Sequence, residues 1–155
     1  MSTTGGLDQG SLDQVGLNAE DRARCAAMAR WLGTSSVLGM MALGCAVVVA
    51  LGCLVQVWRG EALVIAVLVL ASTPFERYLA LRLRFDAGLF ADLADGRIAD
   101  LAALDAGLAT LGVRKTPPRP RSLDDRLAGS RRLWHFHTVV AALMAVGTGV
   151  AVVFA

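Results

Sequence analysis

Leu32 to Val57 reads LGTSSVLGMMALGCAVVVALGCLVQV, 26 residues without a charge, and its length decides the fold class. The hydrocarbon core of a bilayer is roughly 30 Å thick and a helix rises about 1.5 Å per residue, so about 20 mainly apolar residues cross it. This run exceeds that length and fits with a tilt. It starts only after some thirty residues that hold no long apolar run, and it is far longer than the apolar core of about 7 to 15 residues that marks a secretory signal peptide. No cleavage is expected.

Two further runs extend the pattern. Thr138 to Ala155 holds 18 uncharged residues, preceded by Leu133, Trp134, His135, Phe136 and His137, types suited to a headgroup boundary. The middle run, Ala62 to Phe75, holds 14 and alone would rise only about 21 Å. It completes a crossing if Tyr78, Leu79, Leu81 and Leu83 continue it while Glu76, Arg77 and Arg82 sit at the boundary or snorkel towards water. A re-entrant segment is the alternative. The expectation is an all-α integral membrane protein with three transmembrane helices and a cytoplasmic helical hairpin between the second and third. The segments are a flexible tail over 1–18, an amphipathic start and first span over 19–58, a second span over 61–82, a helical module over 83–132 and a third span over 133–155.

Composition agrees: 55% of residues are hydrophobic, 18% are charged, and mean hydropathy is +0.57. A chain of 155 residues with a net charge of +2 gives no basis for nucleic-acid binding, and no basic stripe interleaved with aromatics occurs. Fourteen of the fifteen basic residues are Arg, and Ala and Gly abound, which points to a GC-rich, bacterial genome. Orientation follows from where the positive charges fall in short loops. Eleven lie between Glu76 and Arg132, and Arg22, Arg24 and Arg30 precede the first span. The opposite side has only Arg59, so the N-terminus is expected in the cytoplasm of a cell (inner) membrane and the C-terminus outside.

Helix signals organise the cytoplasmic side. Asn18 ahead of Glu20 and Asp21 reads as an N-cap with acids in the first turn. Tyr78, Leu81, Phe85, Leu89 and Leu93 form one apolar stripe, and Ile98, Leu101, Leu104, Leu108 and Leu111 a second, with a break at Asp95-Gly96. Thr116-Pro117-Pro118-Arg119-Pro120 cannot continue a helix, which makes 113–121 a Pro/Arg linker. Ser122 followed by Asp125 approaches a capping box, so a helix should start at Leu123 and run into the third span. No internal repeat is evident.

Residue types that carry chemistry are sparse. Cys25, Cys45 and Cys53 form no Cys-x-x-Cys pair, and on one helix Cys45 and Cys53 stand about 12 Å apart axially, too far for a disulfide. His135 and His137 point about 200° apart on a helix and cannot chelate one metal together. Asp124-Asp125 is explained by the helix dipole without a cation. Phosphate-binding glycine motifs, a nucleophile elbow and a zinc-protease motif are absent. No catalytic residue, metal site, cofactor or small-molecule substrate is expected, and the chain is expected not to be an enzyme.

Contact surfaces are the more specific signal. Pro74, in Ser72-Thr73-Pro74-Phe75-Glu76-Arg77, frees the carbonyl of Leu70 and should kink the helix just before Glu76. Facing inward, Glu76 would be a proton- or ion-handling group; at the boundary, an Arg such as Arg77 would neutralise it. Arg82 and Asp86 lie within an apolar stripe and should form an intramolecular clasp or a partner contact. With Leu101, Leu104 and Leu108, these four charged residues form the candidate interaction set. Small residues mark helix packing: Ser35, Gly39, Ala42, Ala46, Ala50 and Cys53 on the first span, and Ala141, Ala145 and Gly149 on the third. The expected role is a small membrane-anchored scaffold or accessory subunit presenting its cytoplasmic module to a protein partner, a second copy or anionic membrane lipid. The alternative is a subunit of an oligomeric channel, holin-like pore or transporter.

Overall fold

The computed structural model of this chain describes residues 16–110, 112 and 121–155. Residues 1–15 of the tail expected over 1–18, Leu111, and residues 113–120 of the linker expected over 113–121 lie outside the described residues. Five helices make up the rest: α1 (Ala19–Gly33), α2 (Ser35–Leu54), α3 (Gly60–Ala94), α4 (Leu101–Thr110) and α5 (Leu123–Val153). Among the described residues there is no strand. Taking α1 and α2 together through the single turn residue Thr34, three helical segments, Ala19–Leu54, Gly60–Ala94 and Leu123–Val153, are long and apolar enough to cross a membrane.

Local chemistry sets the helix ends. Asn18 accepts the backbone N–H of Asp21 at 2.7 Å and Ser122 accepts that of Asp125 at 3.2 Å, so both expected caps form. The Ser122 hydroxyl also donates to the Asp125 carboxylate at 2.9 Å, a side-chain contact in place of the backbone bond that would close a capping box. Gly96, at φ +74°, terminates α3 through a left-handed conformation that most side chains resist. The helix passes Pro74 without ending. The hydroxyls of Ser72 and Thr73 both donate to the carbonyl of Val69, at 2.8 and 3.1 Å, beside the Leu70 carbonyl that Pro74 releases.

Two cores stack along the long axis. The first packs α2, α3 and the C-terminal half of α5 through Ala42, Ala46, Val49, Ala62, Ala66, Val69, Ala141, Met144 and Ala151. Small side chains let these backbones approach closely. Trp58, in the turn between α2 and α3, folds over its end: the indole N–H donates to the Val49 carbonyl at 2.9 Å, and the ring lies where a side chain on Gly52 would be. The second core uses larger residues, Cys25, Met28, Leu32, Leu83, Phe90, Leu93, Leu104, Leu108, Leu123 and Leu127, from α1, α3, α4 and the start of α5.

The structure corrects three readings of helix faces. On α3 the buried residues are Glu76, Leu79, Leu83, Phe90 and Leu93, while Tyr78, Leu81 and Phe85 of the expected stripe are exposed. The packed face is set instead by where α1 and α5 approach α3. On α5 the packed face is His137, Ala141, Met144, Thr148 and Ala151; Ala145 is half-buried and Gly149 exposed. Packing followed the wider alternation of three- and four-residue steps. Leu104 and Leu108 are buried within the chain's own second core, with Leu101 half-buried, which removes them as a docking face. On α2, Ser35, Gly39, Ala42 and Ala46 are buried as the small-residue pattern predicts; Ala50 and Cys53 are half-buried, and Val49 and Gly52 complete the face.

Candidate functional site

A polar layer separates the two cores. Glu76 and His137 are both fully buried, at 0% exposure, and belong to helices that meet only in the tertiary structure. Two full turns past the Ala66–Val69 contact surface, α3 turns Glu76 towards α5, and α5 brings His137 to the same level one turn before Ala141. His137 Nε2 lies 2.8 Å from Glu76 Oε1. The second carboxylate oxygen, Oε2, accepts Nε–H of Arg77 at 2.6 Å. Arg77 reaches on to α2, where its guanidinium donates to the Gly39 carbonyl.

Glycine at position 39 gives this geometry room: a Cβ there would come to a tight 3.1 Å from the Arg77 guanidinium, with ordinary contacts of 3.6 Å to Glu76 Oε1 and 3.7 Å to Ala80. The small-residue signal on α2 therefore has two uses, close packing and room for an arginine. One cluster ties α2, α3 and α5 together through charge-assisted hydrogen bonds, which are the stronger kind. A buried carboxylate without such partners would be costly, so each of its oxygens needs a donor. Both have one.

Two polar atoms near this level are open. His137 Nδ1 and the Ser35 hydroxyl, both buried, have no hydrogen-bond partner among the described residues. Aromatic rings flank the layer, with Phe75 of α3 and Phe136 of α5 in an edge-to-face contact at 5.9 Å. Among the described residues no group of three His, Cys, Asp or Glu could hold a metal ion, and the cysteines are free.

Polar contacts also fasten the second core. Arg126 of α5 pairs with Asp105 of α4 at 2.6 Å, with only 9% and 12% of the side chains exposed. Ser130 of α5 donates to Asp86 of α3 at 3.2 Å. Asp86 is thus engaged by α5, and Arg82 is exposed. Of the candidate interaction set, Glu76 and Arg77 join one cluster, Asp86 joins α3 to α5, and Arg82 alone is left on the outside.

Sequence reasoning singled out Glu76 and Arg77 but set His137 at a boundary and did not join it to Glu76. The available signal was periodicity: His137, Ala141, Met144, Thr148 and Ala151 share one helical face, which puts the histidine on the packing side. No protein-family model, curated protein or solved structure matches this chain.

Proposed function

We propose that this chain is a three-span integral protein of the bacterial inner membrane, non-enzymatic, with a cytoplasmic N-terminus and external C-terminus. It serves as an accessory or scaffold subunit that presents a folded cytoplasmic module to a protein partner. The carrying observation is an exposed apolar patch in the wrong place for lipid. With 35 residues, α3 is about 52 Å long, and a crossing of roughly 30 Å that starts near Gly60 ends close to Ala80. Leu81 and Phe85 lie beyond that point, 68% and 44% exposed, with Arg82 between them. Exposed apolar residues outside the hydrocarbon mark contact surfaces.

The second core supports the same reading. Four helices contribute to it, and Asp105–Arg126 fastens α4 to α5, so the module is a rigid platform rather than a loop. Fourteen of the fifteen basic residues belong to this side in the three-span arrangement, as the positive-inside rule requires of a cytoplasmic face. A photocrosslinker placed at Phe85 in native membranes should give a discrete protein adduct that is lost with Leu81→Glu. Crosslinking to lipid alone, or a smear unaffected by the substitution, would contradict a docking face.

A second reading, a proton- or ion-handling subunit of an oligomeric transporter or pore, draws on one observation: a buried carboxylate next to an imidazole with an open nitrogen. Against it, both Glu76 oxygens are occupied within the chain. Proton flux into liposomes that disappears with Glu76→Gln would favour this reading, and an absence of flux at all protein densities would remove it.

A further inference from the structure

A cavity of about 390 Å³ opens between α1 and α5, lined by Arg24, Met28, Trp31, Leu127, Arg131 and His135, with Ala27 at its edge. Its floor is apolar, since Met28 and Leu127 belong to the second core. Its rim is basic. Arg24 is held at the rim by ion pairs to Asp124 and to Asp21, the latter at 3.6 Å. Arg131 is exposed and has no ion pair among the described residues. Trp31 stacks on Trp134 with ring centroids 4.5 Å apart, and His135 meets both rings edge-on at 6.1 and 5.3 Å, so the aromatic wall is fixed.

We propose that this cavity binds the phosphate of an anionic phospholipid headgroup in the inner leaflet. The inference rests on the three-span membrane reading and adds a ligand site to it. Depth is the first argument. From Arg131 to Val153, α5 rises about 33 Å, close to the thickness of the hydrocarbon core, so the cavity lies in the headgroup plane when the far end of α5 reaches the opposite boundary. Charge is the second: the Arg131 guanidinium, free of carboxylate partners among the described residues, and the neighbouring His135 imidazole face a slot that otherwise holds Arg24, already paired with Asp124 and Asp21, and apolar groups, which suits a phosphodiester. Shape is the third. Directly beyond His135 on the same face of α5 stand Val139 and Val146, 54% and 64% exposed, a track on which an acyl chain can lie while its headgroup stays in the cavity.

The test is native mass spectrometry of the full chain in neutral detergent, titrated with phosphatidylglycerol, phosphatidylcholine or inorganic phosphate. Phosphatidylglycerol should bind at least tenfold more tightly than phosphatidylcholine. The double substitution Arg131→Ala with His135→Ala should abolish that preference, and Arg132→Ala, outside the cavity, should keep it. Both altered positions are exposed, so the fold is expected to survive, which an unchanged circular dichroism melt would verify. Equal binding of the two lipids, equal loss in the Arg132→Ala control, or inorganic phosphate binding as tightly as phosphatidylglycerol would each overturn the assignment. Alkaline carbonate extraction separates the two levels of the claim. Release from the membrane defeats the three-span reading itself, whereas a retained protein without lipid preference defeats only the site.

Discussion

Glu76 is the residue on which most of the internal polar chemistry converges. It accepts from Arg77 of its own helix and lies within hydrogen-bond distance of His137 on α5, and Arg77 carries the connection to Gly39 on α2. Removing one member of a buried, mutually satisfied set strands the others, at a cost of about 3–5 kcal/mol for a pair with no exposure. Because Arg77 is 39% exposed, water screens part of its share, and the lower end of that range applies. Glu76→Ala should therefore lower the thermal midpoint in detergent markedly and His137→Ala should do the same, with a double mutant little worse than either single. Additive losses would show that the two side chains do not act as one unit. At Gly52 the constraint is steric, since a methyl group there would overlap the Trp58 indole. Gly52→Ala should expel the ring, red-shift tryptophan emission and cost about 1–3 kcal/mol; an unchanged spectrum would mean that Trp58 is not seated on α2.

At the scale of elements, caps and breakers were legible because they depend on neighbours within a turn. Asn18, Ser122 and the Asp95-Gly96 break each act within three residues of sequence, and each is found where the residue types predict. Faces were legible only in part. Small residues identified the packed side of α2, whereas the apolar stripe of Tyr78, Leu81 and Phe85 misled, since α3 buries the neighbouring face of Leu79, Leu83 and Phe90 and leaves this one exposed. The Glu76–His137 contact joins positions 61 residues apart, and no local pattern specifies such a partner. The short helix α4 is a further case: its leucines have the spacing of a partner-binding stripe yet close the chain's own core, fastened by Asp105 and Arg126. Asp105→Ala should loosen α4 and make 101–110 the first site of limited proteolysis, with little effect on the helices of the first core. If that segment resists protease as the parent does, the ion pair is not what holds α4.

On the scale of the whole molecule, two cores of different composition meet at a polar layer. One is built mainly from alanine and valine, with Met144 and Trp58, the other mainly from leucine, with Phe90, Met28 and Cys25. This division fits the proposed arrangement, since close backbone approach drives association in lipid while burial of large apolar surface drives it in water. Glu76 and His137 each lie about 24 Å from the far end of their helices, which in the proposed three-span arrangement puts them inside a hydrocarbon core of roughly 30 Å but near its cytoplasmic edge. On this account the cluster sets the register of three spans where the bundle passes from one environment to the other, and the arginines beyond it hold that register against the inner leaflet.

The most direct test is cysteine accessibility in intact cells. With Cys25, Cys45 and Cys53 replaced by alanine, single cysteines are placed at Arg97 and at Ala155, both exposed positions. A membrane-impermeant maleimide added outside should label position 155 in intact cells and position 97 only after permeabilisation. Labelling of position 97 from outside, or equal labelling of both sites before permeabilisation, would contradict the three-span arrangement.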